Sequence, residues 1–234
     1  MTRTRETPAA VLFDVDGTLM DTVPLHTVAW WEAFRQQGRT VAMSRIHRAI
    51  GMSSGHLLDA LLGEDRPRDA DGVVKAAHDA LYAQYWSRLA PLDRAGDLLR
   101  ACAGRGIRVV LASSASGPDA DAMRKALDAD DAIHAMTTAD DVKAGKPAPD
   151  LVQRALEKSG SSAERAVFVG DAVWDAAAAG KAGVRCLGLL SGGGFSSEEL
   201  RAAGAEAVYD SPADLLHRID ESAIGELAEA QGGI

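Results

Sequence analysis

Only two cysteines, Cys102 and Cys186, occur in 234 residues. Two thiols make neither a disulfide framework nor a four-ligand zinc site. Positive charge is scarce as well: 25 Lys and Arg against 34 Asp and Glu leave a formal charge of −9. That sign repels phosphate backbones and anionic headgroups, so nucleic acid and membrane are not expected partners; a small anion held by a local positive patch remains open. No apolar run reaches the ~18 residues of a membrane span. The basic start MTRTRETPAA lacks the apolar stretch of a secretion signal. Internal repeats, low-complexity tracts and long linkers are also missing. These absences predict a soluble, cytoplasmic, globular chain. At this length it can bury about three-quarters of its unfolded surface, as one large domain or a domain carrying an insertion.

What is present is a series of short apolar runs closing on small or acidic residues. AVLFDVDG starts at Ala10, GIRVVLASS at Gly106, AVFVGD at Ala166, GVRCLGLL at Gly183 and the weaker AEAVYD at Ala205. Runs this apolar suit strands covered on both faces. Helical stretches lie between them, over Ala95–Ala103, Asp119–Leu127, Pro149–Ser159, Ala176–Ala182 and Ser197–Ala203, with Gly104, Gly160, Gly183 and Gly204 at expected C-terminal caps. The alternation predicts an α/β fold, a doubly wound, Rossmann-like parallel sheet with its chemistry at the carboxyl ends of the strands. From about Thr22 to Leu89 the pattern is helical only: VAWWEAFRQQG, RIHRAIG, GHLLDALLG and VVKAAHDALYAQYWSRL space apolar residues three or four apart. An all-helical cap over residues 21–89 is therefore expected, inserted into a core of residues 1–20 and 90–234. Residues 222–234 read as a short helix and a fraying tail. Cys102, in a helix, and Cys186, in a strand, read as buried packing residues.

Four features carry chemistry. Asp14 and Asp16 in Asp14-Val15-Asp16-Gly17-Thr18 lie two apart, so both carboxylates project from one side of a strand end. Gly17 permits a sharp turn whose backbone N–H groups can receive an anion. Such close carboxylates favour a shared proton or a captured cation. Asp171 and Asp175 form a second acidic pair after the strand AVFVG. Ser113 and Ser114 end the strand VVLA with neutral donors suited to phosphate oxygens. Lys146 stands in AGKPAPD, where Pro147 keeps it extended and Pro149 suits the start of a helix. Each feature alone has a plain structural reading, as a turn, a cap or a solvated charge.

Together, in this order, they resemble the haloacid dehalogenase superfamily of phosphohydrolases, from about Val11 to Leu216. Its DxDGT motif matches Asp14 to Thr18, its strand-end hydroxyl Ser113, its lysine motif Lys146, and its GDxxxD motif Asp171 with Asp175. The resemblance implies a magnesium-dependent phosphatase acting on a small phosphorylated metabolite. Asp14 would be the nucleophile and Asp16 the acid and base. Mg²⁺ would be held by Asp14, the Asp16 backbone carbonyl and Asp171, with Asp175 orienting the ligand loop or a metal-bound water. Lys146 and Ser113 would hold the phosphoryl group, with Gly17, Thr18 and Ser114 beside it. An acid two residues after the nucleophile favours phosphoryl transfer over carbon–halogen cleavage.

The helical insertion resembles the caps of phosphoglycolate phosphatases and β-phosphoglucomutases. Met20, Asp21 and His26 open it and can face substrate, although for His26 a half-buried structural role is an equal alternative. A mutase would need a cation for a second phosphate; Ser54 stands where mutases usually carry arginine, and Arg45 or Arg48 would have to replace it. A sugar-phosphate mutase and a phosphoacceptor signalling protein are the competing readings. Trp30, Trp31 and Phe34 read as packing residues, and Ser191-Gly192-Gly193-Gly194 as a flexible loop.

Overall fold

Val11 and Phe13 pack into one apolar layer and Ala10 and Leu12 into another, because successive side chains of an extended chain leave opposite faces. The strand that carries them, β1 (Ala10–Phe13), is buried on both sides. The computed structural model describes residues 7–115 and 117–232. Residues 1–6 of the expected core and 233–234 of the expected tail lie outside the described residues.

After β1 the chain builds four helices: α1 (Val23–Gln36), α2 (Met43–Ala49), α3 (Ser54–Leu62) and α4 (Asp71–Ala83). They enclose an apolar cluster of their own around Trp30, Phe34, Ile46, Leu57 and Leu61. Trp30 and Phe34 are thus packing residues. The chain then returns to the sheet through α5 (Ala95–Gly104) and β2 (Arg108–Ala112), followed by α6 (Gly117–Leu127) and β3 (Ile133–Thr137). Next come α7 (Asp150–Ser159), β4 (Ala166–Gly170), α8 (Val173–Lys181), β5 (Arg185–Leu189), α9 (Ser197–Ala202) and β6 (Ala205–Tyr209). Two further helices close the chain, α10 (Pro212–His217) and α11 (Ala223–Gly232).

All strand pairs are parallel, in the order β3-β2-β1-β4-β5-β6. Leu12 lies opposite Val110 on one side and Phe168 on the other. The α5, α6, α10 and α11 helices cover the Phe13 face through residues such as Leu98, Met123, Leu215 and Ile224. The α7 and α8 helices cover the Leu12 face through Leu151, Val152, Ala155 and Ala179. Cys102 and Cys186 are buried in opposite layers. The fold is the doubly wound α/β sheet with a helical insertion that the sequence predicts. Strand order reverses between β1 and β4, which opens a crevice there at the carboxyl ends. Among the described residues no helix is long and apolar enough to cross a membrane.

Three details depart from the sequence reading. The β3 strand, IHAMT, was not expected because an edge strand with exposed His134 shows no continuous apolar run. Gly104 is not a cap: α5 runs through it, and Gly106, at φ 76°, makes the left-handed turn. The α8 helix begins at Val173 rather than Ala176, because the Asp175 carboxylate accepts from the Ala172 N–H and caps it there.

The tight double burial of β1 sets a measurable cost. Leu12→Ala should lower unfolding stability by about 2–5 kcal/mol, as read from urea denaturation; a loss under about 1 kcal/mol would mean that the two layers do not pack against β1 as described.

Candidate active site

The turn after β1 is tied by the Val15 carbonyl, which accepts from the N–H groups of Leu19 and Met20, both at 2.9 Å. The Asp14 N–H donates to Val169 at 2.9 Å, so Asp14 continues the sheet ladder one residue past the strand. Gly17 sits at φ 79°, and a Cβ there would lie 2.5 Å from Asp171 Oδ2, so the turn tolerates only glycine. Asp171 follows β4, Ser113 follows β2, and Lys146 stands in the loop after β3. The crevice at the strand ends therefore collects all of them.

Lys146 is wholly buried, and its ammonium donates to Asp14 Oδ1 and, at 2.7 Å, to Asp175 Oδ1. Burial works against its charge, yet Asp14 and Asp175 hold it protonated well above the usual lysine range. For Asp14 the balance goes the other way. Burial, with the charges of Asp175 and Asp16, pushes its carboxyl up to about 7 despite the pull of Lys146. Asp171 is raised for the same reasons: burial first, then the charges of Asp14 and Asp175. One ammonium is too little positive charge for three buried carboxylates.

That imbalance is what a hard cation would correct, and the donor set fits one. Ligand oxygens of Asp14, Asp171 and Asp175 lie within 4.8 Å of one another. Both Asp175 oxygens are engaged, Oδ1 by Lys146 and Oδ2 by the Ala172 N–H at 3.0 Å, so Asp175 is placed to orient Lys146 and the loop after β4. Thr18 donates to Asp171 Oδ1 at 2.9 Å and to Asp14 Oδ2 at 3.3 Å, so one hydroxyl bridges the two carboxylates.

The Asp16 side chain turns away from this cluster. Its Oδ1 accepts from Thr22 at 2.5 Å and contacts His26 Nε2 at 3.1 Å. Burial would raise its carboxyl, but the charge and hydrogen bond of His26, with the Thr22 bond, hold it below the usual range. Asp14, Asp16 and His26 all line a cavity of about 300 Å³ between the strand ends and the inserted helices α1, α3 and α4. Ser114 lines it too and donates to the Gly51 carbonyl at 3.3 Å. Ser113 is buried, its Oγ accepting from the Ala115 N–H at 3.0 Å. Of the three residues expected to open the cap toward substrate, only His26 reaches the cavity: Met20 is in the sheet core and Asp21 is exposed. Ser54 lines the cavity, while Arg45 donates to carbonyls of α3 and Arg48 pairs with Glu199 and Gly194, outside it.

Two features were not read from the sequence. Ser191–Gly194 is a buttress rather than a free loop: Ser191 Oγ donates to the Gly17 carbonyl at 2.7 Å, and His47 Nε2 donates to that of Gly192 at 2.9 Å. A Cβ on Gly192 would fall 1.7 Å from Asp171 Oδ2. The glycine run at a strand end was the available clue. The second is His78 with Asp79 on α4, which also line the cavity. Nothing in their helical spacing distinguishes them from packing and solvent-facing residues.

The family model for haloacid dehalogenase-like hydrolases matches residues 8–183. A phosphoglycolate phosphatase from Rhodospirillum rubrum is 31% identical over 220 residues, 89% of either chain. The crystal structure of a hydrolase from Pseudomonas syringae superposes with a TM-score of 0.87 at 37% identity, covering 92% of this chain and 99% of that one. CbbY from Rhodobacter sphaeroides, in complex with phosphate, superposes with a TM-score of 0.69 at 26% identity, over 89% and 96% of the two chains.

Two outcomes follow from the buried acids. Raising the folded pKa of Asp14 from 3.8 to about 7 means that metal-free stability from this group is lost as pH rises through that window. A divalent cation needs the deprotonated form. Millimolar Mg²⁺ should therefore raise the melting temperature more at about pH 8 than at about pH 5.5, and not at all in Asp171→Asn. Equal gains at both pH values, or a gain kept in the variant, would move the metal elsewhere. Gly192→Ala should cut turnover by about tenfold or more while the circular dichroism spectrum is unchanged; full turnover would show that the loop does not press on Asp171.

Proposed function

The chain belongs to the haloacid dehalogenase-like hydrolases, and from that membership we propose that it is a magnesium-dependent phosphatase releasing phosphate from a small phosphorylated metabolite through an aspartyl-phosphate on Asp14. It is a phosphoric monoester hydrolase. The observation that carries the finer reading is the buried Asp14 carboxylate, bonded to Lys146 at the floor of a cavity that Asp16 also lines.

Asp14 attacks phosphorus and its carboxylate oxygen replaces the leaving oxygen. Asp16, on the leaving-group side and held by Thr22 and His26, gives that oxygen a proton and later takes one from the water that cleaves the phosphoaspartate. Lys146 and Ser113 flank the transferring group, and Lys146 also keeps Asp14 aligned. Ser114 adds a hydroxyl on the cavity wall, whereas Gly17 and Thr18, expected beside the phosphate, stand behind it, with the Thr18 hydroxyl donating to Asp171 and Asp14. Asp14, Asp171 and the backbone carbonyl of Asp16 would hold Mg²⁺, with Asp175 fixing their arrangement; when bound, the ion offsets the repulsion between carboxylate and phosphate. Residues 21–89 serve as the cap, and the cavity volume of about 300 Å³ suits a small phosphorylated molecule, phosphoglycolate or a sugar phosphate. Phosphoryl transfer is mainly positioning and electrostatics, which this set supplies.

The test is phosphate release across phosphoglycolate, sugar phosphates and nucleotides, with and without Mg²⁺. Magnesium-dependent release is expected, falling to background in Asp14→Asn with the fold intact. Isomerised sugar phosphate without free phosphate would establish a mutase instead, and turnover surviving in Asp14→Asn would remove Asp14 as nucleophile.

A further inference from the structure

The Asp171 carboxylate is wedged between two glycines. A Cβ on Gly192 would fall 1.7 Å from its Oδ2 and a Cβ on Gly17 2.5 Å from it, so both backbones stand against that oxygen. The two are also joined, because Ser191 Oγ donates to the Gly17 carbonyl at 2.7 Å. Where Asp171 points is therefore set by where the Ser191–Gly194 loop lies, since close-packed groups pass small shifts to one another. The sheet holds only the base of this loop: the Leu190 N–H donates to the Tyr209 carbonyl at 2.9 Å, and the Gly193 N–H to that of Leu190 at 3.1 Å. Its outer carbonyls are held from the inserted helices. His47 Nε2 donates to Gly192 at 2.9 Å, and the Arg48 guanidinium donates to Gly194 at 2.8 Å. Arg48 is itself held by Glu199 at 2.6 Å and lies over the Phe195 ring, 4.6 Å from its centroid.

The same helix, α2, also touches the chain that follows Asp171. Trp174 Nε1 donates to the Arg48 carbonyl at 3.1 Å. Gly51, just past α2, packs so closely that a Cβ there would lie 3.2 Å from the Cβ of Ala172. Trp174 and Phe195 meet edge to face with ring centroids 6.0 Å apart, which ties the two contacts together. The α2 helix thus reaches both the loop after β4, which carries Asp171, and the loop after β5, which backs it. Neither His47 nor Arg48 belongs to the apolar cluster of the inserted helices; both side chains are engaged with the Ser191–Gly194 loop.

We propose that His47 and Arg48 are positioning residues for Asp171, so that the docking of α2 on the sheet body sets how tightly the crevice holds Mg²⁺. This rests on the reading of Asp171 as a magnesium ligand given above. Mg²⁺ demands near-ideal octahedral geometry at about 2.0–2.1 Å, so a carboxylate shifted by a few tenths of an ångström binds it less well. A peptide carbonyl only accepts, so His47 acts through a single N–H. The amide nitrogen of a glutamine reaches about as far along the side chain as Nε2 does and can supply the same donor.

The test titrates Mg²⁺ into the metal-free full chain without substrate and reads the dissociation constant by isothermal titration calorimetry. In His47→Ala and in Arg48→Ala it should rise about fivefold or more, as losses of groups that orient a metal ligand do. The melting temperature without metal should stay within about 2 °C of wild type, because both side chains lie outside the cores. His47→Gln should keep the dissociation constant within about twofold of wild type, since it restores the donor. Unchanged affinity in both alanine variants, or an equal loss in His47→Gln and His47→Ala, would overturn the proposal and leave the phosphatase reading standing. A wild-type chain that takes up no Mg²⁺ would instead remove magnesium from that reading, and the proposal with it.

Discussion

Lys146 puts one positive charge between Asp14 and Asp175 where water has no access, and the arrangement of the crevice follows from that contact. An ammonium without partners could not stay charged there, and the carboxylates without the ammonium would be driven to protonate. Because the pair is dry, its electrostatics are strong, and Asp14 cannot swing toward other donors. Thr18 adds a neutral donor to the same cluster, bridging Asp14 to Asp171. The negative charge still in excess is what makes the site receptive to a divalent ion. Asp16 escapes this competition by facing Thr22 and His26, so two carboxylates two residues apart experience opposite fields.

The sheet topology explains why these residues meet. Asp14, Asp16 and Thr18 follow the carboxyl end of β1, Asp171 and Asp175 that of β4, and Lys146 stands in the loop after β3; the reversal of strand order between β1 and β4 leaves a gap where they converge. This much is legible in the sequence, since apolar runs ending in Asp14, Ser113 and Asp171 announce both strand and site. The proline-flanked Lys146 is legible for the same reason, standing in a stiff loop. The β3 strand was less visible because an edge strand needs only half its residues apolar.

His78 and Asp79 were hidden for a different reason. Within VVKAAHDALYAQY they occupy ordinary helical positions, and their meaning comes from α1 packing against α4, which brings together residues 52 positions apart. The same holds for Ser191 and Gly192, whose contacts with Gly17 and Asp171 span the sheet. Local pattern shows where a chain turns or stiffens. It does not show which distant side chain will fill the space left by a missing Cβ.

The apolar cluster around Trp30, Phe34 and Leu57 shares no member with the two layers that sandwich the sheet. Substitutions inside one body are therefore close to additive with those inside the other. Such a molecule can drift in what it selects while the hydrolytic apparatus stays fixed, because remodelling the roof draws little on the stability of the floor. His26 is one place where that independence ends: it belongs to the inserted helices yet contacts Asp16 beside the sheet, so a lineage that replaced it would be altering both bodies in one stroke.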